Sequence, residues 1–300
     1  MMTTQTIRMA AMLAFLGPWH SAGATDLGFI AYPIGVNTVA NGIVPKPGET
    51  WLQSYNVFYH ADSFKDGKGA DLVPGFEANI AASAARVFHT WDTEIGPFTW
   101  SSAFVVPLVR ADVSTAFSKG TDFGVGDLTL SPVYLGWSNP EKNFFAYGGV
   151  DFYIPTKSDV SNDVFSFVPN MNLTWFATPK LEFSTSFGAE FHTTNTDTDY
   201  HSGSVAYLEW ALNYRAFESL PALTVGVQGY ALKQFTDDEI AGSKVGDGFR
   251  TQALAIGPQI TYTFDDVAVA VRWDHEFEVK NRSEGDKFWI AFNVPLNSGH

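Results

Sequence analysis

Between residues 182 and 289, charged and hydrogen-bonding side chains fall on alternate positions of successive segments. They are Glu182, Glu190 and His192, Glu209 and Arg215, Gln228 and Tyr230, Gln259, then Arg272, Asp274, Glu276 and Trp289. Acids, bases and amides interleaved at period two suit the lining of a narrow path. There the carboxylates favour neutral or cationic solutes and repel anions, while Tyr230 and Trp289 offer aromatic surface. The same groups facing one another across a small space could instead satisfy each other as a structural network.

Other chemistry is poorly supported. Acids cluster at Asp62, Asp66 and Asp71, at Asp159 and Asp163, at Asp197 and Asp199, and at Asp237, Asp238 and Glu239. Their spacing matches no defined calcium loop, so a solvated surface is the expectation and no metal is assigned. A hydrolase would need a serine and a histidine oriented by a third polar group. His275 has no such neighbour in its segment, and His201-Ser202 lies in a loop. Phosphate-loop and HExxH patterns are missing, and the absence of cysteine excludes thiolate chemistry. No enzyme and no cofactor are expected. A net charge of -14 argues against nucleic acid as a partner.

The elements that must position these groups are strands. Phe165, Phe167, Met171, Leu173 and Trp175 alternate with Ser166, Asn170, Asn172 and Thr174. Leu181, Phe183, Phe187 and Phe191 alternate with Glu182, Ser184, Ser186, Glu190 and His192. Period two with different chemistry on each face marks strands lying between two solvents. The pattern predicts strands at 50–60, 76–90, 98–111, 127–137, 143–154, 165–176, 181–192, 205–215, 223–234, 250–264, 267–280 and 287–296, with the apolar face taken as the lipid side. Twelve is even, and most are long enough to cross a membrane while tilted. Within 76–90, Arg86 falls on the apolar face, which a bulge or a rim position would accommodate.

Loop lengths separate a membrane barrel from a soluble sandwich. Connections near 61–75, 112–126, 155–164, 193–204 and 235–249 are long; those near 91–97, 138–142, 177–180, 216–222 and 265–266 are short. Strict alternation is expected of outer loops and periplasmic turns. Charged residues make up 17% and aromatics 15%, and Trp51, Trp91, Trp100, Tyr134, Trp137, Trp175, Phe176, Tyr262 and Phe264 gather near predicted strand ends as interfacial girdles do. The fold class predicted is all-β, an up-and-down antiparallel transmembrane β-barrel of about twelve strands, in the outer membrane of a Gram-negative bacterium. Its partners would be outer-membrane lipid and the barrel-assembly machinery.

Residues 1–24 read as a signal peptide: Arg8, the apolar run Met9 to Leu16, Gly17-Pro18, and a small-residue cleavage site at Ala22-Gly23-Ala24. The segment 25–49 precedes the first strand of a barrel assigned to 50–300. Phe29, Ile30, Tyr32, Ile34 and Val36 need burial, which favours a lumen plug over a disordered periplasmic arm.

The loop motifs carry a resemblance. They are Tyr32-Pro33-Ile34-Gly35, Pro45-Lys46-Pro47-Gly48, Gly126-Asp127-Leu128, Asp151-Phe152-Tyr153-Ile154-Pro155-Thr156, Asn195-Thr196-Asp197-Thr198-Asp199-Tyr200, Gly257-Pro258-Gln259 and the run Asn281 to Trp289. In order along nearly the whole mature chain, they resemble the outer-membrane proteins of the meta-pathway phenol-degradation transporter family. The resemblance implies passive, porin-like uptake of small hydrophobic or aromatic compounds, and it brings no catalytic residues. The alternative is a closed structural or surface-recognition barrel acting through its acidic outer loops. Barrels of this kind usually end on an aromatic residue, whereas this chain ends Leu296-Asn297-Ser298-Gly299-His300, so the final strand is expected to stop a few residues early.

Overall fold

The computed structural model describes residues 30–265 and 267–297; the predicted signal peptide and Phe29 lie outside the described residues. Sixteen strands follow one another: β1 (Thr50–Phe64), β2 (Glu77–Ile95), β3 (Phe98–Ser114), β4 (Lys119–Val125), β5 (Leu128–Ser138), β6 (Phe144–Ile154), β7 (Ser166–Thr178) and β8 (Leu181–His192). Then come β9 (Tyr200–His201), β10 (Val205–Tyr214), β11 (Leu223–Gln234), β12 (Glu239–Ile240), β13 (Ser243–Lys244), β14 (Gln252–Phe264), β15 (Val267–Lys280) and β16 (Ser283–Asn297). Twelve of them close into one antiparallel barrel. β1 pairs with β16 on one side and β2 on the other, and the circuit runs on through β3, β5, β6, β7, β8, β10, β11, β14 and β15. Closure leaves no lipid-exposed sheet edge, which is what lets strands cross a bilayer.

These twelve coincide with the predicted strands, their ends differing by a few residues. The long loops hold more structure than expected. Residues 119–125 form β4, which folds back on the outer end of β3, pairing Leu108 with Val125 through Ser114 with Lys119. β9, β12 and β13 make a small sheet over the 193–204 and 235–249 loops. β16 begins at Ser283, earlier than predicted, and pairs with β1 out to Phe64.

Side-chain direction follows the pleat. In β10, Val205, Tyr207, Glu209, Ala211 and Asn213 are buried, while Ala206, Leu208, Leu212 and Tyr214 are exposed. Phe104, Leu130, Met171, Trp175, Phe187, Ile260 and Phe288 belong to the outward belt. Two assignments reverse. In β1 the Tyr55, Val57, Tyr59 face points inward, with Phe58 exposed between them. In β2, Arg86 is buried beside Phe88, and Val87 is exposed. Arg86 therefore needs neither a bulge nor a rim position: the apolar face of these strands is the inner face. β3 is apolar on both sides, with Val105, Pro107 and Val109 lining an interior cavity and Phe104, Val106 and Leu108 outside.

Candidate functional site: the lumen

Between residues 31 and 42, five backbone N–H groups of this segment and the Tyr32 hydroxyl donate to inward-facing carboxylates of the barrel, and the Gly42 N–H to a threonine. Glu190 of β8 accepts hydrogen bonds from the backbone N–H groups of Ala31 (2.5 Å) and Tyr32 (3.0 Å). Glu209 of β10 accepts from Tyr32 Oη (2.6 Å), the Gly35 N–H and the Asn37 N–H (3.2 Å). Glu182 accepts from the Ala40 N–H at 2.7 Å, and Thr174 Oγ1 from the Gly42 N–H at 2.9 Å. A segment without helix or sheet must find partners for its own amides, and here the barrel's carboxylates supply them. The Tyr32 ring stacks on Tyr207 at 4.0 Å, and Tyr32 and Ile34 join the largest cluster of buried apolar residues.

A second network spans the lumen further round. Tyr230 Oη donates to Glu276 Oε1 (2.5 Å) and accepts from Lys287 Nζ (2.7 Å), while Tyr59 Oη donates to Glu276 Oε2 (2.8 Å). Lys287 also forms an ion pair with Glu276 at 3.4 Å. Gln228 donates to Asp274 Oδ1 at 2.6 Å. Arg272 donates to Thr38 Oγ1 (2.8 Å) and the Val36 carbonyl (2.9 Å), and lies over the buried Trp289 ring at 4.9 Å. Gln259 bridges Asn213 and Thr38. His192 sits beside Glu190 and exchanges a hydrogen bond with Ser166.

Of the twelve residues singled out in the sequence, eleven thus lie inside the barrel: Glu182, Glu190, His192, Glu209, Gln228, Tyr230, Gln259, Arg272, Asp274, Glu276 and Trp289. Arg215 does not. β10 ends at Tyr214, and Arg215 is exposed beyond it. Glu278, on the same parity as Glu276, is exposed as well. A register shift between β14 and β15 and a positive φ of 53° at Glu278 mark a bulge there, and the bulge hands the next inward position to Val279.

Two cavities lie between the segment and the wall. The outer one, about 230 Å³, is walled by Val57, Ala82, Ala84, Val105, Pro107 and Val109, with Tyr134, Tyr153, Asp127 and Asp151 at its polar end. The inner one, about 160 Å³, runs toward the short-turn side past Trp51, Gln53, Phe88, Ala270 and Arg272. The outer wall is not legible in the alternation, because hydrophobicity alone directs the aromatic face of β1 and the alanine-rich face of β2 to lipid. Tyrosine was the overlooked signal: eight of the chain's 11 tyrosines are buried, whereas Phe88 is the one phenylalanine buried among the described residues.

Outside the wall, the acidic loops are tied to the protein itself. Asp66 accepts from the Lys68 and Ala70 N–H groups, and bonds to backbone N–H groups, that of Ala70 foremost, hold its carboxyl below the usual carboxylate range. Asp237 is lowered by its hydrogen bond to Arg250 at 2.7 Å. Asp238 is raised by burial although it accepts from Tyr200 Oη, the Gly203 N–H and Gln234. His275 is exposed on the outer wall, with its ring nitrogen 2.9 Å from Asp286.

The family model described as the putative MetA-pathway of phenol degradation matches residues 61–292. The chain belongs to this family. Among solved structures it is similar to the COG4313 outer membrane channel from Pseudomonas putida F1, with a TM-score of 0.75 at 15% identity, covering 89% of this chain and 100% of that one. The transport unit of the autotransporter AIDA-I from Escherichia coli aligns with a TM-score of 0.52 at 7% identity, over 84% of this chain and 91% of that one. The β domain of the Bordetella autotransporter BrkA gives 0.51 at 8% identity, over 83% and 99%. No curated protein matches the chain. This chain's closed twelve-stranded barrel, with an apolar outer belt and an interior that is hydrogen-bonded except along β1 to β3, is an outer-membrane protein.

Proposed function

We propose that the barrel carries small hydrophobic or aromatic compounds passively across the outer membrane, and that residues 30–49 are its lumen plug. The outer cavity carries this reading: its wall is aliphatic and aromatic on three adjacent strands, whereas a path for hydrophilic solutes would be polar all round. Membership of a family named for phenol degradation supports it, as does the likeness to a barrel described as an outer membrane channel. The chain's own residues provide a space, an orientation and an exclusion of bulk water; no covalent step is part of the reading.

A closed structural barrel is the second reading, favoured by the three carboxylates that hold the plug. The two part in Gram-negative cells that do or do not make the protein, by the initial rate of uptake of labelled phenol. Transport predicts a faster rate in producing cells, lost when the outer cavity is filled by Ala82→Phe. Equal rates with and without the protein would leave the closed barrel.

A further inference from the structure

The two cavities meet at a shared set of residues: Val36 and Asn37 of the plug against Tyr55, Arg86 and Tyr147 of the wall. A solute passing from one cavity to the other goes by the Arg86 guanidinium. Arg86 is 8% exposed, yet among the described residues it forms no ion pair. It hydrogen-bonds from Nη1 to Gln53 Oε1 at 3.2 Å and to the Tyr147 hydroxyl, and its charge lies over the Phe88 ring at 4.3 Å and the Tyr134 ring at 5.6 Å. Aromatic faces offset only part of the cost of a desolvated cation, and the bonds to Gln53 and Tyr147 use two of the five guanidinium N–H donors.

The charge around this point inverts what the overall composition suggests. The inner cavity has Arg86 and Arg272 on its lining and no carboxylate among its described residues. Most acids elsewhere in the lumen are occupied, Glu182, Glu190 and Glu209 by the plug and Glu276 by Lys287 and two tyrosines, while Asp274 accepts from Gln228 at one oxygen. In the outer cavity, Asp151 accepts from Ser131, Tyr134 and Asn170, and Asp127 from Ser161 and Asn162. Donors thus disperse the negative charge along the path, while the cation at its narrowing forms no direct ion pair among the described residues and feels Asp151 only at longer range.

We propose that the passage selects aromatic solutes bearing an anionic oxygen group, a carboxylate or a sulfonate, and that Arg86 is the residue that selects them. The inference rests on the transport reading and deepens it: the ring takes the apolar wall, and the anionic oxygens take the free guanidinium donors in charge-assisted hydrogen bonds.

The test uses the refolded chain in lipid vesicles preloaded with benzenesulfonate or phenyltrimethylammonium, which share a ring and differ in sign. Wild-type protein should release the sulfonate about tenfold faster, the scale of one charge-assisted hydrogen bond. Arg86→Gln should bring the ratio close to one, and Arg86→Lys should keep most of the preference. A wild-type ratio at or below one overturns the inference, as does a preference that survives in a heat-modifiable, folded Arg86→Gln protein. Should Arg86→Gln fail to fold, the wild-type ratio and the Arg86→Lys protein decide. Conductance with neutral phenol, recorded on the same preparation, separates the two failures. Phenol block without sulfonate preference removes the inference alone, whereas neither effect removes the transport reading with it.

Discussion

At the scale of single residues, the interior solves a problem of unpaired hydrogen-bonding groups. Glu209 takes three donors from the segment 30–49, the proposed plug, and a typical intramolecular hydrogen bond contributes about 0.5–1.5 kcal/mol. Glu209→Ala therefore strands the amides of Gly35 and Asn37 and the Tyr32 hydroxyl together. The expected result is a barrel that still folds, with a plug that protease cleaves within 30–49 faster than in wild type; an unchanged cleavage rate would show that the plug is held by other contacts. This carboxylate was legible in the sequence, as were ten of the other inward groups, because period two sorts faces without any knowledge of partners. Their partner was not legible: a free carboxylate and one that caps backbone amides read alike. Arg86 was visible but placed on the wrong side, since hydrophobicity cannot separate an aromatic lumen from a lipid face. Its neighbours Tyr134 and Tyr147 carry hydroxyls that a lipid face would leave unsatisfied, a difference that hydrophobicity does not register.

At the scale of elements, close approach fixes the path of the proposed plug, residues 30–49. A Cβ on Gly42 would sit 2.6 Å from the Phe145 carbonyl oxygen and closer still to the Thr174 amide, so only glycine lets this turn lie on the wall. Gly42→Val should displace the plug and raise the conductance of the folded barrel; a channel with wild-type conductance would contradict that path. The outer loops have their own pH response. The Asp237 carboxyl, lowered by Arg250, contributes to loop closure above its usual pKa and loses that contribution as pH falls through the lowered value. Asp238, raised by burial, works in the opposite sense: its contribution is present at low pH and lost as pH rises through the raised value. Protease nicking within 235–249 should then be faster in Asp237→Asn than in wild type at neutral pH, with the gap closing in acid. A gap that persists in acid would show that the contact is not an ionic one. Strand existence and loop sorting were readable because each membrane crossing repeats one pattern. β4 and the small β9–β12–β13 sheet were not, since short strands over a loop have too few alternations to stand out from a Gly- and Asp-rich stretch.

At the scale of the whole molecule, the chain is a barrel whose wall is apolar on both faces over one arc and whose interior is tightly hydrogen-bonded over the rest. The apolar arc, on β1 to β3, borders the outer cavity, and residues 36–43 line the inner one. An acidic composition suggested a lumen that repels anions. The folded arrangement spends those acids on the plug and on Lys287, so net charge describes the loops better than the passage. The measurement that reaches the central claim is single-channel conductance of the refolded protein in planar bilayers, before and after phenol is added. The account predicts small, discrete openings that phenol reduces in a concentration-dependent way, as an aromatic solute occupies the outer cavity. Openings indifferent to phenol, or a folded barrel that stays silent after the plug's anchor is removed by Glu209→Ala, would contradict it.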